Sequence, residues 1–483
     1  MGGKWMESMK ELKKVGALAA PVVAVTVLQY LLFVVSIMMV GHLGELQLSG
    51  VSIATSFATV TGLCILFGMC GALETLCGQA YGAQQYRKLG TYTYSAIICL
   101  LIVCVPITIL WVFTEKILTL VGQDPAISHV AYRYALSFIP ALFGYAILQA
   151  LVRYFQTQSL ILPMLYTSLA ALCFHIPFCW TLVFKLGLGS IGAAFSMALS
   201  IFLNVTLLAL YMKFSSKCDK TRSVFSKQVF HSTRVFFRFA LPSAAMVCLE
   251  WWAAELLIFL SGLLPNPKLE TSVLSICFSI TYLHFSISYG IGATTSTRVS
   301  NELGAGNPQA AKMAVWILVC ITVMEAIIVG TIFYFCRNIF GYVFSSDEEI
   351  VEHVADMVPF MCLSFFLDGL QSLLSGVARG CGLQNMAAVV KLGAYYLIGA
   401  PVGAVLAFVL HFKVKGLFIG LTTGTAFQVI MLAIISLSID WEKQASKARE
   451  MAIQGDANNE TQLAAGPPNT LAIINFQIPH LNH

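Results

Sequence analysis

Residues 15–44 read VGALAAPVVAVTVLQYLLFVVSIMMVGHLG, a run without a single Asp, Glu, Lys or Arg. A helix rises 1.5 Å per residue, so about 20 apolar residues cross the ~30 Å hydrocarbon core of a bilayer. This run is longer than that. It lacks the alternation of a lipid-facing barrel strand and far exceeds the ~10 residues such a strand needs. A helix satisfies its own backbone donors and acceptors in lipid, so the run is read as a membrane-spanning helix.

The pattern repeats outward along the chain. Residues 46–73, 89–114, 134–152, 154–184, 186–212, 271–297, 392–412 and 416–439 are equally free of charge. Three further apolar stretches are interrupted only by acids: 239–267 by Glu250 and Glu255, 313–336 by Glu325, and 357–378 by Asp368. The total is twelve spans. Composition agrees, with 58% hydrophobic and only 11% charged residues in 483. Soluble domains carry about 25% charged residues, so lipid must solvate much of this surface. The fourteen cysteines lie mostly inside apolar runs, without CxxC pairing or metal-ligand spacing, and read as small packing residues. No basic tract interleaved with aromatics points to nucleic acid, and no metal or cofactor motif is present.

Basic residues orient the spans. Lys4, Lys10, Lys13 and Lys14 precede span 1, and the loop between spans 6 and 7 holds Lys213, Lys217, Lys220, Arg222, Lys227, Arg234 and Arg238. Arg87, Lys88, Arg153, Arg298, Lys312, Arg379 and Lys391 are counted on the same side, and the opposite loops are poorer in base. Both termini are therefore expected in the cytosol. The expected organisation is a cytosolic N-terminal segment (1–14), an N-lobe of spans 1–6 (15–213) and a cytosolic inter-lobe loop (214–235), followed by a C-lobe of spans 7–12 (236–439) and a disordered cytosolic tail (440–483).

Two lobes follow from an internal repeat. Pro21 and Gly41 recur as Pro242 and Gly262, each 221 positions on. QAYGA (79–83) recurs as NELGA (301–305), and DPAISHV (124–130) is echoed by DEEIVEHV (347–354). Arg153 and Gln158 recur as Arg379 and Gln384. Six spans per half is an even number, so the halves point the same way and relate by an axis along the membrane normal. Two parallel six-helix lobes around a central cleft suit alternating access.

An ionised carboxylate in the bilayer is costly, so such groups face an interior or a water-filled cavity. The repeat matches Glu250 with neutral Gln29, and Asp368 falls opposite Phe143. The acids therefore belong to the second lobe, as expected if one lobe carries the coupling cation. Glu250 and Asp368 are the leading candidates for proton loading and release. Glu255 lies roughly 140° around the helix from Glu250, so the two cannot share one narrow face. Glu325 is either functional or a partner for a neighbouring helix, and His175 and His284 read as hydrogen-bonding residues. Trp251, Tyr282 and Tyr289, with Gln29, either contact an organic substrate or pack. Pro21 either kinks span 1 or merely begins it.

Four longer motifs carry a resemblance. They are MMVGHLGEL (38–46), LETLCGQAYGA (73–83), CLEWW (248–252) and STRVSNELGAG (296–306). Together the chain resembles the multidrug and toxic compound extrusion family, in its plant detoxification-carrier branch, over residues from about 10 to 440. The resemblance implies antiport of organic cations or other metabolites against protons or sodium, with eukaryotic members proton-coupled, by a transporter and not an enzyme. It carries proton coupling to Glu250, Asp368 and Glu255, and helix bending to Pro21. Many prokaryotic relatives place an aspartate in span 1, where this chain has Ser36. The expectation is a proton-coupled antiporter, acting as a monomer in the plasma or vacuolar membrane. It would export secondary metabolites or xenobiotics. A proton-independent lipid or metabolite flippase is the alternative. The substrate is a small organic molecule, and neither nucleic acid nor any cofactor is called for.

Overall fold

The computed structural model describes residues 2–223, 227–340 and 348–464. Twelve helices among them are long and apolar enough to cross a membrane. In order they are α1 (Gly2–Gly41), α2 (Glu45–Gly82), α3 (Tyr86–Val112), α4 (Pro125–Thr157), α5 (Ile161–Lys185) and α6 (Gly189–Phe214). The second six are α7 (Gln228–Ser261), α8 (Pro267–Gly304), α9 (Pro308–Phe335), α10 (Glu348–Cys381), α11 (Gln384–Val409) and α12 (Lys413–Leu437). A further helix, α13, spans Trp441–Ala464. The two halves form pseudo-symmetric lobes around a central cleft. With an even number of crossings, α1 begins and α12 ends on one face, here called the terminal face.

The helix ends follow local chemistry. Asp124 caps α4, its Oδ1 accepting from the amides of Ala126 at 2.8 Å and Ile127 at 3.1 Å, ahead of Pro125 at the first helical position. Its repeat partner Asp347 lies outside the described residues. Pro21 sits well inside α1, and Pro242 well inside α7. Of the two readings of Pro21, the first-turn one is thus set aside: the ring leaves a mid-helix carbonyl without its amide donor.

Three sequence expectations change. The N-terminal segment is no separate piece but the opening turns of α1, and its Glu11 is buried against Arg298 of α8, Oε1 to Nε 2.9 Å. The tail is not disordered over Trp441–Ala464: it forms α13, which packs on α8 and α9 of one lobe and α2 of the other. Ala445, Ala448 and Ala452 are buried at helical spacing, so a polar sequence hides a narrow apolar stripe. The rest of that tail, 465–483, lies outside the described residues, as do 224–226 of the inter-lobe loop. Finally, Arg153, Arg298, Arg379 and Lys391, counted above as loop charges, are buried within helices. Each has a carboxylate partner, which is why the chain tolerates them there.

The lobes meet along α2, which packs on α7 and α8. A β-carbon on Gly68 would sit 2.6 Å from Ala244 Cα of α7, and one on Gly82 or Gly304 would collide with the backbone of the facing helix. Gly68, Gly71, Thr75, Gly78 and Gly82 fall within roughly 80° of one another around α2. That glycine face lets α2 approach the second lobe at backbone contact.

Candidate functional site

Glu250 projects from α7, and the Lys391 ammonium of α11 reaches it as an ion pair. Lys391 is 3% exposed and the Glu250 side chain 19%, so the carboxylate keeps more access than its partner. Just beyond Lys391, α11 loosens into a π-helical stretch, Gly393–Gly399. Such stretches re-aim side chains. Here Tyr396 donates to the Leu249 carbonyl at 3.2 Å, tying α11 to the turn that carries Glu250. Sequence reasoning missed Lys391 because it lies only two turns into α11 and was assigned to the preceding loop.

Asp368 of α10 accepts from Ser364 Oγ at 2.9 Å and lies within electrostatic reach of Glu250 and His284. His284 stacks on Phe365 at 4.3 Å between ring centroids, and its Nε2 stands 3.2 Å from Glu325. Glu325 and His284 are therefore partners across two helices. Glu255 is half-buried and has no ion-pair partner among the described residues. The two leading acids thus belong to one polar region of the C-lobe, while Glu255 stands apart from its ion pairs.

The aromatic candidates converge. Trp251 lies 5.6 Å from Tyr282 and 6.3 Å from Phe67, ring centre to ring centre. Tyr30 meets Tyr282 at 5.0 Å, and Phe67 meets Tyr289 at 5.0 Å. Rings from α1, α2, α7 and α8 thereby form one array that crosses the lobe boundary. It adjoins Glu250 through the neighbouring Trp251. Trp252, by contrast, is exposed, and its Nε1 donates to the Val60 carbonyl at 3.0 Å where α2 has a π-helical turn. Gln29 is half-buried on α1, with its Nε2 buried and unbonded.

The first lobe differs from expectation. At Ser36, where an aspartate would be the alternative, Oγ bonds His175 Nε2 at 3.0 Å, and His175 Nδ1 meets Ser200 Oγ at 2.9 Å. That cluster contains no carboxylate. Yet the lobe is not free of buried acid. Glu74, taken from sequence to follow span 2, is fully buried inside α2. Its two oxygens meet Arg153 Nε at 3.0 Å and Arg379 Nε at 2.8 Å. The sequence window closed one residue short of it. The signal that points to it is the repeat itself: two equivalent arginines at helix ends need an acid if they are buried.

No group of His, Cys, Asp and Glu among the described residues could hold a metal ion. The MatE family model matches residues 21–181 and 242–405, one match in each lobe. Protein DETOXIFICATION 3 of Arabidopsis thaliana is 54% identical over 446 residues, covering 92% of this chain and 94% of that protein. Protein DETOXIFICATION 14 of the same plant is 52% identical over 454 residues, covering 94% and 93%. The crystal structure of the eukaryotic MATE transporter AtDTX14 superposes with TM-score 0.90 at 52% identity, covering 92% of this chain and 100% of that one. An outward-facing multidrug resistance MATE family transporter, 15% identical with TM-score 0.80, shares the fold. The twelve-helix, two-lobe architecture, the repeat and these likenesses agree, and the chain belongs to the MATE family of membrane transporters.

Proposed function

We propose that this transporter is a proton-coupled antiporter that exports organic cations, among them secondary metabolites or xenobiotics, from the cytosol. The observation that carries the reading is the Glu250–Lys391 pair, with Asp368 in reach, beside an aromatic array that spans both lobes. A carboxylate in a low-dielectric interior binds whichever positive charge is nearest, and proton, lysine and organic cation compete for it. With the acids ionised, the region favours a cation lying on the rings of Trp251, Tyr282 and Tyr289. A proton arriving at Glu250 or Asp368 removes a negative charge and weakens that hold. Substrate leaves, the lobes rock, and the proton departs on the other side.

Sidedness follows from the basic residues outside the membrane. Removing the four buried cations from the count leaves the terminal face still the richer in Lys and Arg, so that face is cytosolic. The lobes are hydrogen-bonded together on that face, an arrangement that suits release of substrate on the opposite side. Pro21, mid-helix, is where α1 bends as protonation changes the packing. Gln29 offers an amide to the substrate from the first lobe, and Glu255 is a secondary proton acceptor. The protein acts as a monomer in the plasma or vacuolar membrane.

The test is proton movement. In proteoliposomes with a lumenal pH dye, adding a transported organic cation to one side is expected to drive protons out of the opposite compartment. Substrate flux with no accompanying pH change would replace this reading with the proton-independent flippase.

A further inference from the structure

We infer that Glu74 is the latch of the terminal-face gate, holding the lobes shut by sharing one carboxylate between Arg153 of its own lobe and Arg379 of the other. The two arginines are repeat equivalents, each in the last turns of the fourth helix of its lobe. Symmetry would give each an acid of its own. The position in α8 that the repeat matches to Glu74 is Ser296, so the second lobe supplies none. Arg379 therefore has its carboxylate only while the lobes touch. When they part, Glu74 keeps Arg153 and Arg379 is left to solvent.

The surroundings fit a gate that forms and breaks as a unit. Thr75 donates to the Arg379 carbonyl at 2.5 Å and accepts from Gln384 Nε2 at 2.6 Å. Gln79 Nε2 donates to the Gly380 carbonyl at 3.1 Å. From the other side, Gln156 Nε2 donates to the Ala293 carbonyl at 3.2 Å, and Asn301 Nδ2 to the Thr157 carbonyl at 3.0 Å. Arg153 itself reaches across to Tyr289 at 2.5 Å. A second cross-lobe pair, Glu11 with Arg298, repeats the polarity: an acid from the first lobe, an arginine from the second. Between these contacts the glycine face of α2 brings the backbones together, so a small tilt would break many contacts at once. The inference needs only that the lobes alternate, and it holds whichever ion drives transport.

Cys381 reports the gate, since it is buried two residues past Arg379 on the lobe seam. Its modification by a maleimide is followed by peptide mass spectrometry on the purified full chain. Cys179, buried in the first lobe, is the internal control. Glu74→Gln leaves two guanidiniums facing each other without their acid, and Cys381 is expected to react at least ten times faster while Cys179 does not change. Arg379→Met removes only the cross-lobe pair and leaves Glu74 with Arg153. Several-fold acceleration is expected there, and this variant decides the matter if Glu74→Gln does not fold. Glu74→Asp keeps the charge and should stay closer to wild type than Glu74→Gln. Wild-type reactivity of Cys381 in both main variants, or equal acceleration at Cys179, overturns the inference.

Discussion

Glu250 and Lys391 show how a buried ion pair is both tolerated and useful. Neither charge alone is cheap inside the lobe, and breaking such a pair by removing one member costs about 3–5 kcal/mol. Lys391→Met is therefore expected to lower stability by roughly 3 kcal/mol, at the low end because the Glu250 side chain retains 19% exposure. Glu250→Gln combined with Lys391→Met should be destabilised less than Lys391→Met alone, because no charge is then left unpaired. Thermal unfolding of the two purified variants beside wild type checks this, and a double variant at least as destabilised as Lys391→Met alone contradicts it. The two acids were legible in the sequence because a carboxylate interrupts an apolar run visibly. Lys391 and Glu74 were not, since both sit within two or three turns of a helix end, where hydropathy stops distinguishing a loop charge from a buried one.

At the scale of helices, α2 and α13 carry the lesson. Glycines at 68, 71, 78 and 82 were present in the sequence, where Gly78 and Gly82 served only to mark a motif and the repeat. In the fold they are a contact face, because backbone approach needs the absence of a β-carbon. Gly304→Ala would press a methyl group onto the backbone at Gln79 and is expected to cost about 1–3 kcal/mol, read as a lower melting temperature. An unchanged melting temperature would mean that α2 and α8 do not meet as described. The helix α13 was missed because its stripe of alanines is too weak an apolar signal among polar neighbours. Ending the chain after Asp440 removes a helix that touches both lobes, so it should lower the melting temperature without abolishing folding. A melting temperature equal to that of the full chain would contradict docking of α13.

For the whole molecule, span count, repeat and two-lobe design were all readable, because lipid forces long apolar helices and the repeat preserves Gly, Pro and Arg at helix ends. The ends of the helices were not, and with them went the exact asymmetry between lobes. The first lobe has a centre without carboxylates at Ser36, His175 and Ser200, yet it supplies Glu74 and Glu11 at the terminal face. The second lobe holds acids at its centre and arginines at its gate. On the proposals above, ion coupling and gate closure belong to different charged clusters of one molecule, joined by the aromatic array between them.

The most direct measurement is pH-gradient-driven uptake of an organic cation into proteoliposomes containing Glu250→Gln, beside wild type of matched melting temperature. The amide keeps the shape of the carboxyl and cannot exchange a proton. The account predicts uptake at the level of empty liposomes for the variant and gradient-dependent accumulation for wild type. Uptake by the variant at the wild-type rate, with the same dependence on the gradient, would contradict it.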